Sequence, residues 1–230
     1  MKAKQAGFTL VEIAIVLVII GLLLGGILKG QEMIAQAKIK NVITDLNGVT
    51  AALNSYQDRY RALPGDDKAA GTGSTPVGRW AADTTVVSGN GDGVITGLYT
   101  AASGESAQFW LHLRKAGFIS GTGLDVPFNA ASGKMGVQNG DGLASTPPGS
   151  VFASTGVAGF TGLILCSANL PDKMAISIDS QIDDGNALTG SVRAVEQGGV
   201  ANPATSIGAT LTANYVEDGT KSYLVCRTML

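Results

Sequence analysis

Histidine is almost absent from this 230-residue sequence, which contains His112 and no other. Cysteine occurs twice, at Cys166 and Cys226, with no C-x-x-C pair. A zinc centre needs clustered Cys and His ligands, so no zinc site can be drawn from this chain. Neither a G-x-x-x-x-G-K-[ST] phosphate loop nor a G-x-S-x-G turn occurs, which removes the usual footing for nucleotide chemistry or a serine nucleophile. Charge is sparse and balanced, with 16 bases, 18 acids and a formal net charge of −2. No basic patch suited to nucleic acid follows from that; Lys38 and Lys40 read as a solvated helix face. Aromatics are 6% of the chain while glycines number 32, the composition of a loop-rich globular part.

One apolar stretch stands against this background. Ile13 to Leu28 is sixteen residues without a charge, and from Phe8 the span is twenty-one residues interrupted only by Glu12. About twenty apolar residues cross a hydrocarbon core as a helix. A carboxylate inside such a span is costly and points to function. Glu12 sits only ~6 Å along the axis from Phe8, so its cost is lower than at mid-depth. Rival readings are a secretory signal cut after Ala35-Gln36-Ala37, which matches A-x-A, or a plain anchor. Against the signal stand the length of the run and the charges Lys29 and Glu32 before the cut. Lysines on both sides of the run leave orientation open.

The stretch resembles the N-terminus of type IV pilins and type II secretion pseudopilins. The matching residues are the leader Met1-Lys2-Ala3-Lys4-Gln5-Ala6, then Gly7, Phe8-Thr9-Leu10, Glu12 and the apolar run containing Gly21. The resemblance implies cleavage between Gly7 and Phe8 by a prepilin peptidase, N-methylation of Phe8, and assembly of copies through the apolar helix by an inner-membrane platform. It implies that Glu12 of one subunit meets the terminal amine of a neighbour. It also places the leader in the cytoplasm and the remainder outside it. No proline lies between Leu22 and Gln31, so Gly25-Gly26 is where this helix would weaken. Loss of Lys2 and Lys4 with the leader would leave 14 bases against 18 acids.

Beyond the run, Ile39, Val42, Leu46, Val49, Leu53, Tyr56, Tyr60 and Leu63 recur at alternating steps of three and four. That stripe predicts one helix from about Thr9 to about Arg61, with a weak point near Gly25–Gly30, whose outer half packs on its own globular part. Pro64-Gly65-Asp66-Asp67 stops it. Residues 64–103 read as a long loop region anchored by Trp80. Ser103 to Gly117 reads as a short amphipathic helix capped by Ser103, with Phe109, Leu113 and Ala116 inward and His112 on the surface. Strands are expected at Met135–Gln138, Val151–Ala153, Gly162–Ser167, Ser191–Val195 and Ser222–Met229, with a helix from Leu170 to Ile182.

The expected fold is α+β, a long transmembrane then amphipathic helix packed on a small antiparallel-sheet domain. The divisions are a leader at 1–7, a membrane helix at 8–30, its amphipathic continuation at 31–63 and a globular part at 64–230. An even cysteine count in a chain bound for an oxidising compartment favours a Cys166–Cys226 disulfide over two separate buried thiols, and the pilin resemblance agrees. Calcium is the cofactor to weigh. Ser88, Asn90 and Asp92 alternate ahead of Gly93 like half of a calcium loop, but Tyr99 stands where the twelfth ligand belongs. Asp179, Asp183 and Asp184 form a second acidic group at a helix end. The expected function is a prepilin, a structural subunit with no reaction of its own. The alternatives are a membrane-tethered binding protein that does not polymerise and, weaker, an anchored hydrolase.

Overall fold

The computed structural model describes residues 9–73, 77–140, 152, 154, 157–202 and 211–229. In chain order the elements are α1 (Leu10–Tyr60), α2 (Glu105–Lys115), β1 (Met135–Asn139), β2 (Leu163–Pro171), α3 (Asp172–Ile182), β3 (Val192–Glu196) and β4 (Ser222–Thr228). The strands form one antiparallel sheet in the order β1-β2-β4-β3. The fold is α+β, a long N-terminal helix followed by a four-stranded antiparallel sheet domain.

The chain divides into two compact units, residues 1–38 and 39–230. The described part of the first is helix alone. Its large apolar side chains lie open, from Leu10 at 90% exposed through Leu28 at 66%. The helix runs through Gly25 and Gly26 without a break. A missing Cβ costs helix propensity, about 1 kcal/mol per glycine, but long flanking runs of Leu and Ile keep the hydrogen-bond ladder intact.

The second unit has a core on each face of its sheet. On one face Val137, Leu163, Leu165, Val192, Tyr223 and Val225 meet the stripe Ile39, Val42, Leu46, Val49, Leu53 and Tyr56 of α1, together with α2 and α3. Fully buried leucines such as Leu53 contribute roughly 1.5–3 kcal/mol each. On the other face Ile164, Cys166, Ala168, Leu224 and Cys226 pack with Tyr99, Phe152 and Phe160. The alternation of neighbours along β2 between the two clusters is the period-two geometry of a strand covered on both sides. Cys166 and Cys226 face each other directly across β2 and β4 and are joined in a disulfide.

α1 ends where Arg61 adopts φ 53° ahead of Pro64, a backbone state that helix cannot continue through. α2 differs from the expected helix. Its N-cap is Gly104, not Ser103, and no side chain caps it. The helix is buried on nearly every side, from Ser106 through Leu113, because the chain between α1 and α2 folds over its outer face. α3 starts two residues later than the expected Leu170, since β2 runs on to Pro171. Of the strand expected at Val151–Ala153, Val151 and Ala153 lie outside the described residues.

Candidate functional site

Glu12 is placed by the first turn of α1. Its Oε2 accepts from the Thr9 backbone N–H at 2.8 Å and from the Thr9 hydroxyl at 2.8 Å. Thr9 Oγ1 in turn accepts from the Glu12 N–H at 3.3 Å. This is a reciprocal capping box, in which Thr9-x-x-Glu12 satisfies donors that the helix start leaves orphaned. The T-x-x-E spacing carries that signal in the sequence. The carboxylate therefore caps its own helix. Gly7 and Phe8 lie outside the described residues. At the other end of the apolar run Lys29 pairs with Glu32 at 2.8 Å, and both remain exposed, so the pair adds little to stability.

The segment from Leu10 to Leu28 is thus a helix that caps its own start and is followed at once by charged residues. It is long and apolar enough to cross a membrane. The same area arithmetic that rewards burial of Leu53 penalises each exposed leucine here in water. The arrangement calls for lipid or for other apolar helices around it.

The globular unit places the remaining candidates. Ser88 Oγ accepts from the Gly71 N–H at 2.9 Å. Asn90 Oδ1 accepts from the Asp92 N–H at 2.9 Å, while Asn90 Nδ2 donates to Asp92 Oδ2 at 2.8 Å. These three polar groups are engaged in shaping their loop, and the Asn90 amide donor faces the oxygen a cation would need. As arranged, they do not fit a calcium ion. The organising carboxylate is Asp66, buried and accepting from the Gly91 and Gly93 N–H groups. Burial pushes it above the usual aspartate range, with the two backbone donors opposing. No sequence pattern joins Asp66 to that loop.

Asp179, Asp183 and Asp184 converge, with one carboxylate oxygen of each within 4.8 Å of the others. Asp179 is fully buried, and burial lifts its pKa to about 6. It accepts from Tyr215 Oη at 2.8 Å and Gly185 N–H at 3.1 Å. Asp183 accepts from the Ser191 and Val192 N–H groups, and Asp184 from Asn186 N–H and Thr189 Oγ1. The group braces the α3–β3 connection through these bonds.

His112 is not on the surface. It is fully buried, and its Nδ1 accepts from the Gly65 N–H at 2.9 Å while Nε2 lies 3.0 Å from the Val87 carbonyl. The neutral Nε2–H tautomer satisfies both contacts. Burial draws its pKa down to about 4. Both ring nitrogens are occupied by backbone, so the ring is a staple and not a base for a nucleophile.

The family described as the prokaryotic N-terminal methylation motif matches residues 2–28. The chain is also similar to "Fimbrial protein EcpC" of Eikenella corrodens, 32% identical over 97 residues. That match takes in 42% of this chain and 63% of the relative's length. Residues 2–28 of this chain thus carry the prokaryotic N-terminal methylation motif.

Proposed function

We infer that the chain is the precursor of a filament subunit, a structural protein of a type IV pilus or pseudopilus. The observation that carries this is the bare apolar helix from Leu10 to Leu28 inside the methylation motif, beside a unit whose buried core begins at Ile39. On this reading a prepilin peptidase cuts after Gly7 and Phe8 is then N-methylated. Copies of the subunit, or of related pilins, assemble outward from the inner membrane. A small residue at Gly7 suits a peptidase working close to the lipid surface.

Glu12 has its own place in this reading. The new amine of Phe8 must enter an apolar filament interior, where an unpaired charge is strongly unfavourable and a close pair offsets much of the desolvation. Glu12 of a neighbouring copy supplies the opposite charge, and the capping box holds the carboxylate at the helix start until then.

The mass of the mature N-terminus tests the processing. A chain beginning at methylated Phe8 is expected, and Gly7→Val should accumulate uncut. A start at Met1 in wild-type cells, or near Ile39, would overturn it. Glu12→Ala should insert, fold and be cut, yet enter the sheared filament fraction poorly. A correctly cut chain found only as membrane-bound monomers would favour a tethered binding protein.

A further inference from the structure

Within the globular unit, α1 borders a cleft of about 410 Å³ whose lining includes Thr44, Asp45, Gly48, Trp110, Phe118 and Phe128. Three features of the cleft stand unfinished. The indole N–H of Trp110 is buried and has no acceptor among the described residues. A Cβ at Gly48 would meet nothing within 4 Å, so the α1 wall is open there. Phe128 at the cleft is 63% exposed. Asp45 is the acid of this cleft. Burial raises its pKa. Arg114 also lines the cleft but donates to the Gly123 and Asp125 carbonyls, and among the described residues no ion pair reaches Asp45.

Two other charge pairs lie along or just beyond α1. Lys29 pairs with Glu32, and Asp58 with Arg61, each three residues apart. Lys40 is the base nearest Asp45 in sequence, exposed and without an ion pair among the described residues. Five residues separate them, which turns Lys40 about 140° around the helix from Asp45 and sets it ~7.5 Å back along the axis. They cannot meet within one helix. They lie on nearly opposite flanks, clear of the buried stripe Ile39, Val42, Leu46 and Val49. Lys38 is seven residues from Asp45, close to two whole turns, and so shares its flank.

Opposite charges on opposite flanks, offset along the axis, suit a head-to-tail contact between parallel copies. Such a contact does not close on itself and generates an open filament. We propose that the cleft is covered by a second copy of this chain, whose Lys40 ammonium pairs with Asp45 in a parallel neighbour displaced by about 7.5 Å along the helix axis. The proposal rests on the filament reading above and adds to it a contact outside the apolar segment. The covering copy also shields the open wall at Gly48.

Charge exchange in the full chain tests it. Asp45→Lys and Lys40→Glu should each lower the sheared filament yield about tenfold, because each sets like charges against one another. The double variant restores the pair in inverted sense and should recover most of the yield. Formation of the Cys166–Cys226 disulfide, followed by thiol labelling, checks that each variant folds. Lys40→Cys combined with Asp45→Cys, both in one chain, should crosslink only between copies and give a ladder of multimers. Single variants that assemble normally, a double no better than the singles, or intact filaments with no ladder would overturn the contact. If Glu12→Ala blocks assembly in that same experiment, the filament reading survives and only the contact fails. Wild-type cells that yield no filaments, together with no ladder from the double-cysteine chain, would overturn both.

Discussion

His112 depends on being neutral. Its Nδ1 must accept from Gly65 N–H, and a protonated ring has no lone pair there. Burial holds the folded pKa at about 4, with Asp67 raising it and Arg79 lowering it, against an unfolded value of about 6.5. Between those values the unfolded chain binds more protons. The stabilisation from His112 is therefore full above about pH 6.5 and is lost as pH falls through 4, a change of roughly 3 kcal/mol. Thermal melts of the detergent-solubilised chain between pH 7 and 4 should show this slope, and His112→Gln should flatten it. Asp179 works in the opposite sense. Its folded pKa of about 6 lies above the ordinary aspartate value, so it binds protons on folding and loses stability as pH rises from about 4 to 6. Asp179→Asn removes that counter-slope, and the paired variants separate the two groups.

The elements differ in how far the sequence revealed them. The stripe on α1 was legible because one face packs and the others do not, and the three-four spacing of Ile39 to Tyr56 records it. β2 and β4 were legible as short apolar runs. α2 was legible as a helix but not in its burial, because periodicity reports one buried face and this helix is buried almost all round. Its cover is a loop whose glycines allow close approach, as at Gly65, with φ 90°, where a Cβ would collide with the Glu105 carbonyl. No spacing rule reads such a cover, so the helical pattern alone puts His112 on the surface. Asp66 likewise lies outside the alternating pattern of Ser88, Asn90 and Asp92. β1 is tied to a loop in a like manner. A Cβ at Gly136 would run into the Tyr99 carbonyl, backbone that cannot swing aside as a side chain would. Gly136→Ala should cost roughly 1–3 kcal/mol by overpacking. A lower melting temperature and earlier proteolysis near Tyr99 would register it, and unchanged melting would show that the loop yields freely.

At the scale of the whole molecule, the disulfide ties the two central strands across a sequence separation of 60 residues. In the chain-entropy model a loop of that size stabilises by roughly 4 kcal/mol. Replacing Cys166 and Cys226 by Ala should lower the unfolding midpoint of the full chain correspondingly, and an unchanged midpoint would assign the stability to the two cores alone. Both cores are drawn from Ile39 onward, and that has a consequence for the life of the molecule. Among the described residues, the head draws none of its buried interior from the first 38 positions. On the filament reading, it can fold and oxidise while the apolar segment still lies in lipid, and the segment can later exchange lipid for protein neighbours without reopening the head. In behaviour the chain is a surfactant with a folded headgroup.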